Sequence, residues 1–141
     1  MPAKKKWPAD ASGIVILDSG AVTNLSTHRG KAVSLVRMLV ERGWSLVIPV
    51  VVLVECLTGD SGRDANTNRF IRAVDQLLLS DESDARLAAE LRYSTGNPSV
   101  VDALVSAASI RMHELCIILT TDPDDLERQV GSTSKVRVIG C

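Results

Sequence analysis

The stretch GIVILD, from Gly13 to Asp18, decides the fold class. Four consecutive aliphatic residues without a polar interruption read as a strand buried on both faces, the habit of parallel sheets. The run stops at an acid. A second stretch, CIILTTD from Cys116 to Asp122, has the same form and the same ending. If both lie parallel in one sheet, Asp18 and Asp122 emerge at the same edge. In open α/β sheets, ligands bind outside the carboxyl ends of the strands.

Working outward, Trp44–Ile48 (WSLVI) and Lys135–Ile139 (KVRVI) read as two further strands. Ala32, Leu35, Val36, Leu39 and Val40 recur at helical spacing, and Gly43 supplies the stop. Phe70, Ile71, Val74, Leu77 and Leu78 share that spacing, and Leu77–Leu79 can finish as a short strand. Ser80 or Ser83 is the expected cap of a helix over DARLAAELRYS. Ser99 opens SVVDALVSAASIRM, with Asp102 at the N3 position of a capping box. DPDDLERQV, stopped by Gly131, is the last helix. Strands alternating with helices predict an α/β/α sandwich around a central, mostly parallel sheet of about five strands.

VIPVVVLVECLTG, Val47 to Gly59, is harder to assign. Propensity favours a strand, whereas Pro49 and the need to connect parallel strands favour a helix that Pro49 opens. The helix is preferred. Glu55 is then two turns in and leans back to the edge that carries Asp18 and Asp122. A carboxylate in so apolar a run needs a partner, and a cation at that edge would be one, so Glu55 is expected to be buried beside it.

The 141 residues suit one domain, with 13–141 as the folded unit and 1–12 as a basic, solvated, disordered tail around Lys4-Lys5-Lys6. Hydrophobic residues make up 45% and aromatics 3%, so the core is aliphatic. The net charge of −1 argues against a polycationic scaffold for nucleic acid but not against a nuclease that meets phosphates through metal ions. Cys56, Cys116 and Cys141 are odd in number and unpaired in spacing, so reduced thiols are expected. No secretory h-region and no membrane-length apolar run occurs, which points to a cytoplasmic protein.

Asp102, Asp124 and Asp125 each fall in the first turn of a helix that begins at the acid edge. Bland readings exist for each: Asp18 and Asp122 as N-caps, Asp102 as half of a capping box, Asp124 and Asp125 as first-turn acids favoured by the helix dipole. Jointly, however, four or five carboxylates at one edge repel unless a cation holds them. All-oxygen ligation suits Mg²⁺ or Mn²⁺, and such ions support phosphodiester hydrolysis. Zinc lacks ligands, since His28 and His113 are isolated. Phosphotransfer domains that gather strand-end aspartates need a nearby lysine, and none lies between Lys31 and Lys135. Arg86, Arg92 and Arg111 are candidate phosphate contacts.

The segments VILDSGAV, VIPVVVLVECLTG, SVVDALVSAAS and ILTTDPDDL together resemble the ordered motifs of the PIN domain, above all the toxin ribonucleases of VapBC-type bacterial toxin–antitoxin systems. The resemblance runs from about Gly13 to Ile139. It implies a metal-dependent endoribonuclease with an acidic cluster at Asp18, Glu55, Asp102 and Asp122 and a fifth acid at Asp125 or Asp124. It also implies hydroxyl support from Thr120 or Thr121, an RNA substrate, an antitoxin partner and a homodimer. Ser19-Gly20 and Thr58 depart from the pattern, where many members carry Thr-Ser and a basic residue. A degenerate PIN-like domain that binds RNA or protein without catalysis is the alternative.

Overall fold

The computed structural model describes residues 6–141. Five strands, β1 (Ile14–Leu17), β2 (Ser45–Pro49), β3 (Gln76–Leu78), β4 (Cys116–Thr120) and β5 (Val136–Gly140), form one sheet. Its order is β3-β2-β1-β4-β5, and all four pairings are parallel. The order reverses direction between β1 and β4, which places the topological switch point between Asp18 and Asp122.

Among the described residues seven α-helices surround the sheet: α1 (Ser19–Ser26), α2 (Ala32–Glu41), α3 (Leu53–Cys56), α4 (Ala65–Ala73), α5 (Glu82–Thr95), α6 (Val100–Arg111) and α7 (Pro123–Val130). Right-handed crossovers put α1–α4 on one face and α5–α7 on the other. The packing agrees, since α1 contacts α2, α3 and α4 while α6 contacts α5 and α7. The expected α/β/α sandwich is what forms. Its centre is aliphatic: Val15, Ile16, Leu17, Ile118 and Leu119 are all inaccessible to solvent. The three cysteines are free thiols, and burial pushes Cys56 up to about 11 and Cys116 up to about 12.

Several boundaries differ from the sequence reading, each for a local reason. Pro49 closes β2 instead of opening a helix, with φ −61° and ψ 131°. The apolar run after it is helical but divides into a 3₁₀ turn, Val50–Val52, and the four-residue α3. Phe70 to Leu78 is not one helix. Val74 takes an extended conformation with ψ 158°, so α4 ends and β3 begins two residues later. Asp81, not a serine, caps α5: its carboxylate accepts from the Asp84 N–H, and Asp84 returns the bond.

Of the expected tail, residues 1–5 lie outside the described residues. Trp7 stacks on Trp44 with ring centres 5.7 Å apart, lies under the Arg137 guanidinium at 4.0 Å, and donates Nε1–H to Ser134 O. Among the described residues, no helix is long and apolar enough to cross a membrane.

Candidate active site

Asp18 follows β1 and is the N-cap of α1. One carboxylate oxygen accepts from the Ala21 N–H at 2.9 Å, and the other accepts from Thr120 Oγ1. Thr120 Oγ1 in turn accepts from the Asp122 N–H at 2.9 Å. One buried hydroxyl therefore ties together the two strand-end aspartates. Asp18 is only 8% exposed. Burial raises its pKa above the usual carboxylate range, opposed by the Thr120 and Ala21 bonds and reinforced by the charges of Asp102 and Glu55.

Of the two threonines the sequence left open, Thr120 makes this bridge and is fully buried, while Thr121 is exposed. Thr121 instead explains the departure at Gly20. A Cβ built on Gly20 would lie 2.1 Å from Thr121 Oγ1, so a serine there would force the threonine to move.

Asp102 occupies the first turn of α6, which Ser99 caps through its Oγ. Its carboxylate also accepts from Asn97 Nδ2 at 3.3 Å. Sequence reading took Asn97 only as part of a chain break. The hint was its spacing: Asn97 also accepts from Ser99 N–H, a short-range turn that aims its amide at the cap.

Asp122 is exposed, and its pKa is raised first by the neighbouring charge of Asp125, then by desolvation, and further by Asp102 and Asp124. Asp102 thus acts electrostatically on both strand-end acids, joining an Asp18–Glu55 side to an Asp122–Asp125 side. Asp125 is also 3.5 Å from Arg128. Asp124 is exposed.

Glu55 corrects an expectation. It is exposed, not buried, because α3 is a single turn with no buried residue and presents the carboxylate to solvent. What fixes α3 is the loop after it. Buried Asp64 accepts from the Thr58 N–H, Thr58 Oγ1 and the Gly59 N–H, each at 2.9 Å, which holds its own carboxyl below the usual range. Thr58, where relatives of the resembled family carry a base, is therefore employed in the turn. Among the candidate phosphate contacts, Arg111 pairs with Asp81 at 2.7 Å and Asp84 at 2.6 Å, and Arg86 pairs with Glu82. Only Arg92 is left outside an ion pair among the described residues.

The donor set is wholly carboxylate oxygen, which suits a hard cation. Among the described residues, no three His, Cys, Asp or Glu side chains stand close enough together to hold a metal ion. The set matches Mg²⁺ or Mn²⁺ in donor chemistry but is not a preformed closed shell.

No family model and no curated protein matches the sequence. Among solved structures, a chain of VapBC2 from Rickettsia felis, bound to a DNA fragment from their promoter, matches with a TM-score of 0.70. The match covers 91% of this chain and 98% of that one at 12% identity. At that identity the likeness is one of fold, and the fold of this chain is the PIN-like α/β/α sandwich.

Proposed function

We propose that the chain is a Mg²⁺- or Mn²⁺-dependent endoribonuclease, the toxin component of a VapBC-type toxin–antitoxin system. In this reading it acts in the cytoplasm, as a homodimer, and is restrained by a cognate antitoxin. The observation that carries the reading is the Asp18–Thr120–Asp122 bridge: the Asp18 carboxylate and the Asp122 backbone are fastened to one hydroxyl at the switch point, both acids have raised pKa values and, among the described residues, no cationic side chain is paired to either.

Asp18 is the anchored ligand, because both its oxygens are already oriented. Asp102 sits between the two halves of the acid edge and would share in holding the ion. Glu55 and Asp122 are exposed and would close on it, with Asp125 completing the set. A bound divalent cation would supply charge neutralisation at the scissile phosphate and an activated water. Thr120 keeps Asp18 oriented by donating to it, and Asn97 does the same for Asp102.

A second reading, a non-catalytic PIN-like binding module, draws on the exposure of Glu55 and on the Arg128 contact of Asp125. One experiment separates the two. Purified protein is incubated with a mixed RNA pool and Mg²⁺ or Mn²⁺, with EDTA and Asp18→Ala as controls. The nuclease reading expects cutting that both controls abolish. RNA left intact while the same sample binds Mn²⁺ would favour the module, and no Mn²⁺ binding at all would sink the metal site.

A further inference from the structure

An acid edge repels the RNA it is meant to cut, so the reading above requires cations beside it. The net charge of the chain is −1, and the arginines of α5 and α6 are largely committed to carboxylates. A route of contacts leads from the site to cations that are not. Thr120 Oγ1 bonds Asp18, and Thr120 O accepts from the Cys141 N–H at 2.8 Å. The Cys141 thiol lies beside the side chain of Asn24 on α1. Asn24 then holds the loop that follows α1: its carbonyl accepts from the Arg29 N–H at 2.7 Å, and its amide nitrogen lies 3.9 Å from where a Gly30 Cβ would sit.

That loop, THRGK over residues 27–31, is exposed and carries His28, Arg29 and Lys31. Among the described residues, neither Arg29 nor Lys31 forms an ion pair. The loop is nevertheless shaped. His28 has φ 54° and Gly30 φ 69°, and a left-handed histidine persists only where its surroundings hold it there. The backbone bonds from His28 and Arg29 back to Leu25 and Asn24 supply that hold.

We propose that residues 27–31 form the phosphate-binding flank of the acid edge, with Arg29 and Lys31 taking backbone phosphates of RNA beside the cleaved bond. This rests on the ribonuclease reading and adds to it the surface along which the strand runs. Contacts to phosphate carry no sequence information, so the flank sets affinity and register and leaves base choice to other residues.

The test is anisotropy of a labelled oligouridine in EDTA across a salt series, for the wild type, Arg29→Ala/Lys31→Ala and Arg42→Ala. Arg42 is exposed at the opposite, amino edge of the sheet, next to Trp44. The double variant should bind roughly tenfold more weakly at low salt, with a salt slope shallower by about 1.4, or ~0.7 per lost phosphate. Arg42→Ala should match the wild type. Both altered positions are exposed and contribute only backbone bonds to the loop, so the variants should unfold at the wild-type temperature. A double variant that binds with the wild-type constant and slope overturns the flank alone. So does a wild type that cuts RNA yet binds none in EDTA. A wild type that neither cuts nor binds overturns the ribonuclease reading along with the flank.

Discussion

Two acidic groups in this molecule have opposite fates. Asp81 and Asp84, at the start of α5, exchange backbone bonds in a capping box and share the Arg111 guanidinium from the end of α6. The Asp81 carboxyl is held below the usual range, first by the Asp84 N–H and then by Arg111. Asp18 and Asp122, at the carboxyl edge, are raised, the first by burial and the second by its neighbour Asp125. Asp81 is arranged to be ionised at least cost, and with Asp84 and Arg111 it fastens one helix to another. The edge acids are arranged so that ionisation is disfavoured until something cationic arrives. On the proposed reading, structural and functional carboxylates differ less in position than in whether the fold supplies their counter-charge.

The largest effect should come from breaking the contrast at its sharpest point. Asp18→Asn is expected to cut RNA cleavage by more than ~100-fold, the upper end for disturbing a metal's surroundings. The same substitution should leave the thermal midpoint at pH 7 no lower than that of the wild type, because it removes a charge that the folded state disfavours. A large loss of stability in Asp18→Asn would show that this acid is structural after all.

Arg111→Met tests the other side. It strips the counter-charge from Asp81 and Asp84, so thermal melts should shift down by several degrees at low salt and less at high salt, while cleavage is unchanged. Loss of cleavage with an unchanged melt would return Arg111 to the candidate phosphate contacts.

The pH dependence follows from the same contrast. For Asp18 and Asp122 the folded pKa lies above the unfolded value near 3.8, so the folded state binds more protons in the window above 3.8. Their contribution is fully present below that value and declines as pH rises through the raised folded values. For Asp64 and Asp81 the folded pKa lies below 3.8, so their contribution is present above it and lost as pH falls. Thermal melts should therefore fall on the acid side of their optimum as the Asp64 and Asp81 contributions are lost, and on the alkaline side as those of Asp18 and Asp122 are lost. Adding Mn²⁺ should lift the midpoint at pH 7 and flatten the alkaline side of the peak.

The smallest effect concerns a buried group in neither cluster. Gln129 of α7 is 3% exposed and accepts from Ser106 Oγ on α6 at 2.7 Å, but its Nε2 has no partner among the described residues. Ser106→Ala alone should cost about 1 kcal/mol, and Ser106→Ala/Gln129→Met should recover that or more, since removing both partners also removes the orphan donor. A double variant less stable than the single one would mean that Gln129 packs better than a methionine can.

What sequence could and could not disclose divides along physical lines. β1, β2 and β4 were legible because strands buried on both faces must be continuously apolar, and β5 from the β-branched residues that flank Arg137. The joint arrival of Asp18 and Asp122 followed from their parallel direction. Asp102 was legible because Ser99 and N3 spacing mark a helix start. α1 was not read as a helix, because SGAVTNLS is rich in residues that favour turns and caps. It forms because Asp18 caps it and Ala21, Val22 and Leu25 are buried. Glu55 was misjudged for a related reason. Apolar composition was taken for burial, yet in the same short helix Val54 is 82% exposed. A one-turn helix on a connecting segment has no face deep enough to bury.

The switch point has a kinetic consequence as well as a geometric one. The bridge between Asp18 and Thr120 joins residues 102 positions apart, and β1 aligns Ile14 with Cys116. Loop closure of that length must precede the pairing that rewards it, which places this chain among slower folders. Until β4 has left the ribosome, β1 has a neighbour on one side only and presents an open apolar edge prone to wrong pairing. The acid edge is accordingly assembled only when β4 pairs with β1, and β5 then adds outside it. A nascent chain lacking β4 would be aggregation-prone before it could be active.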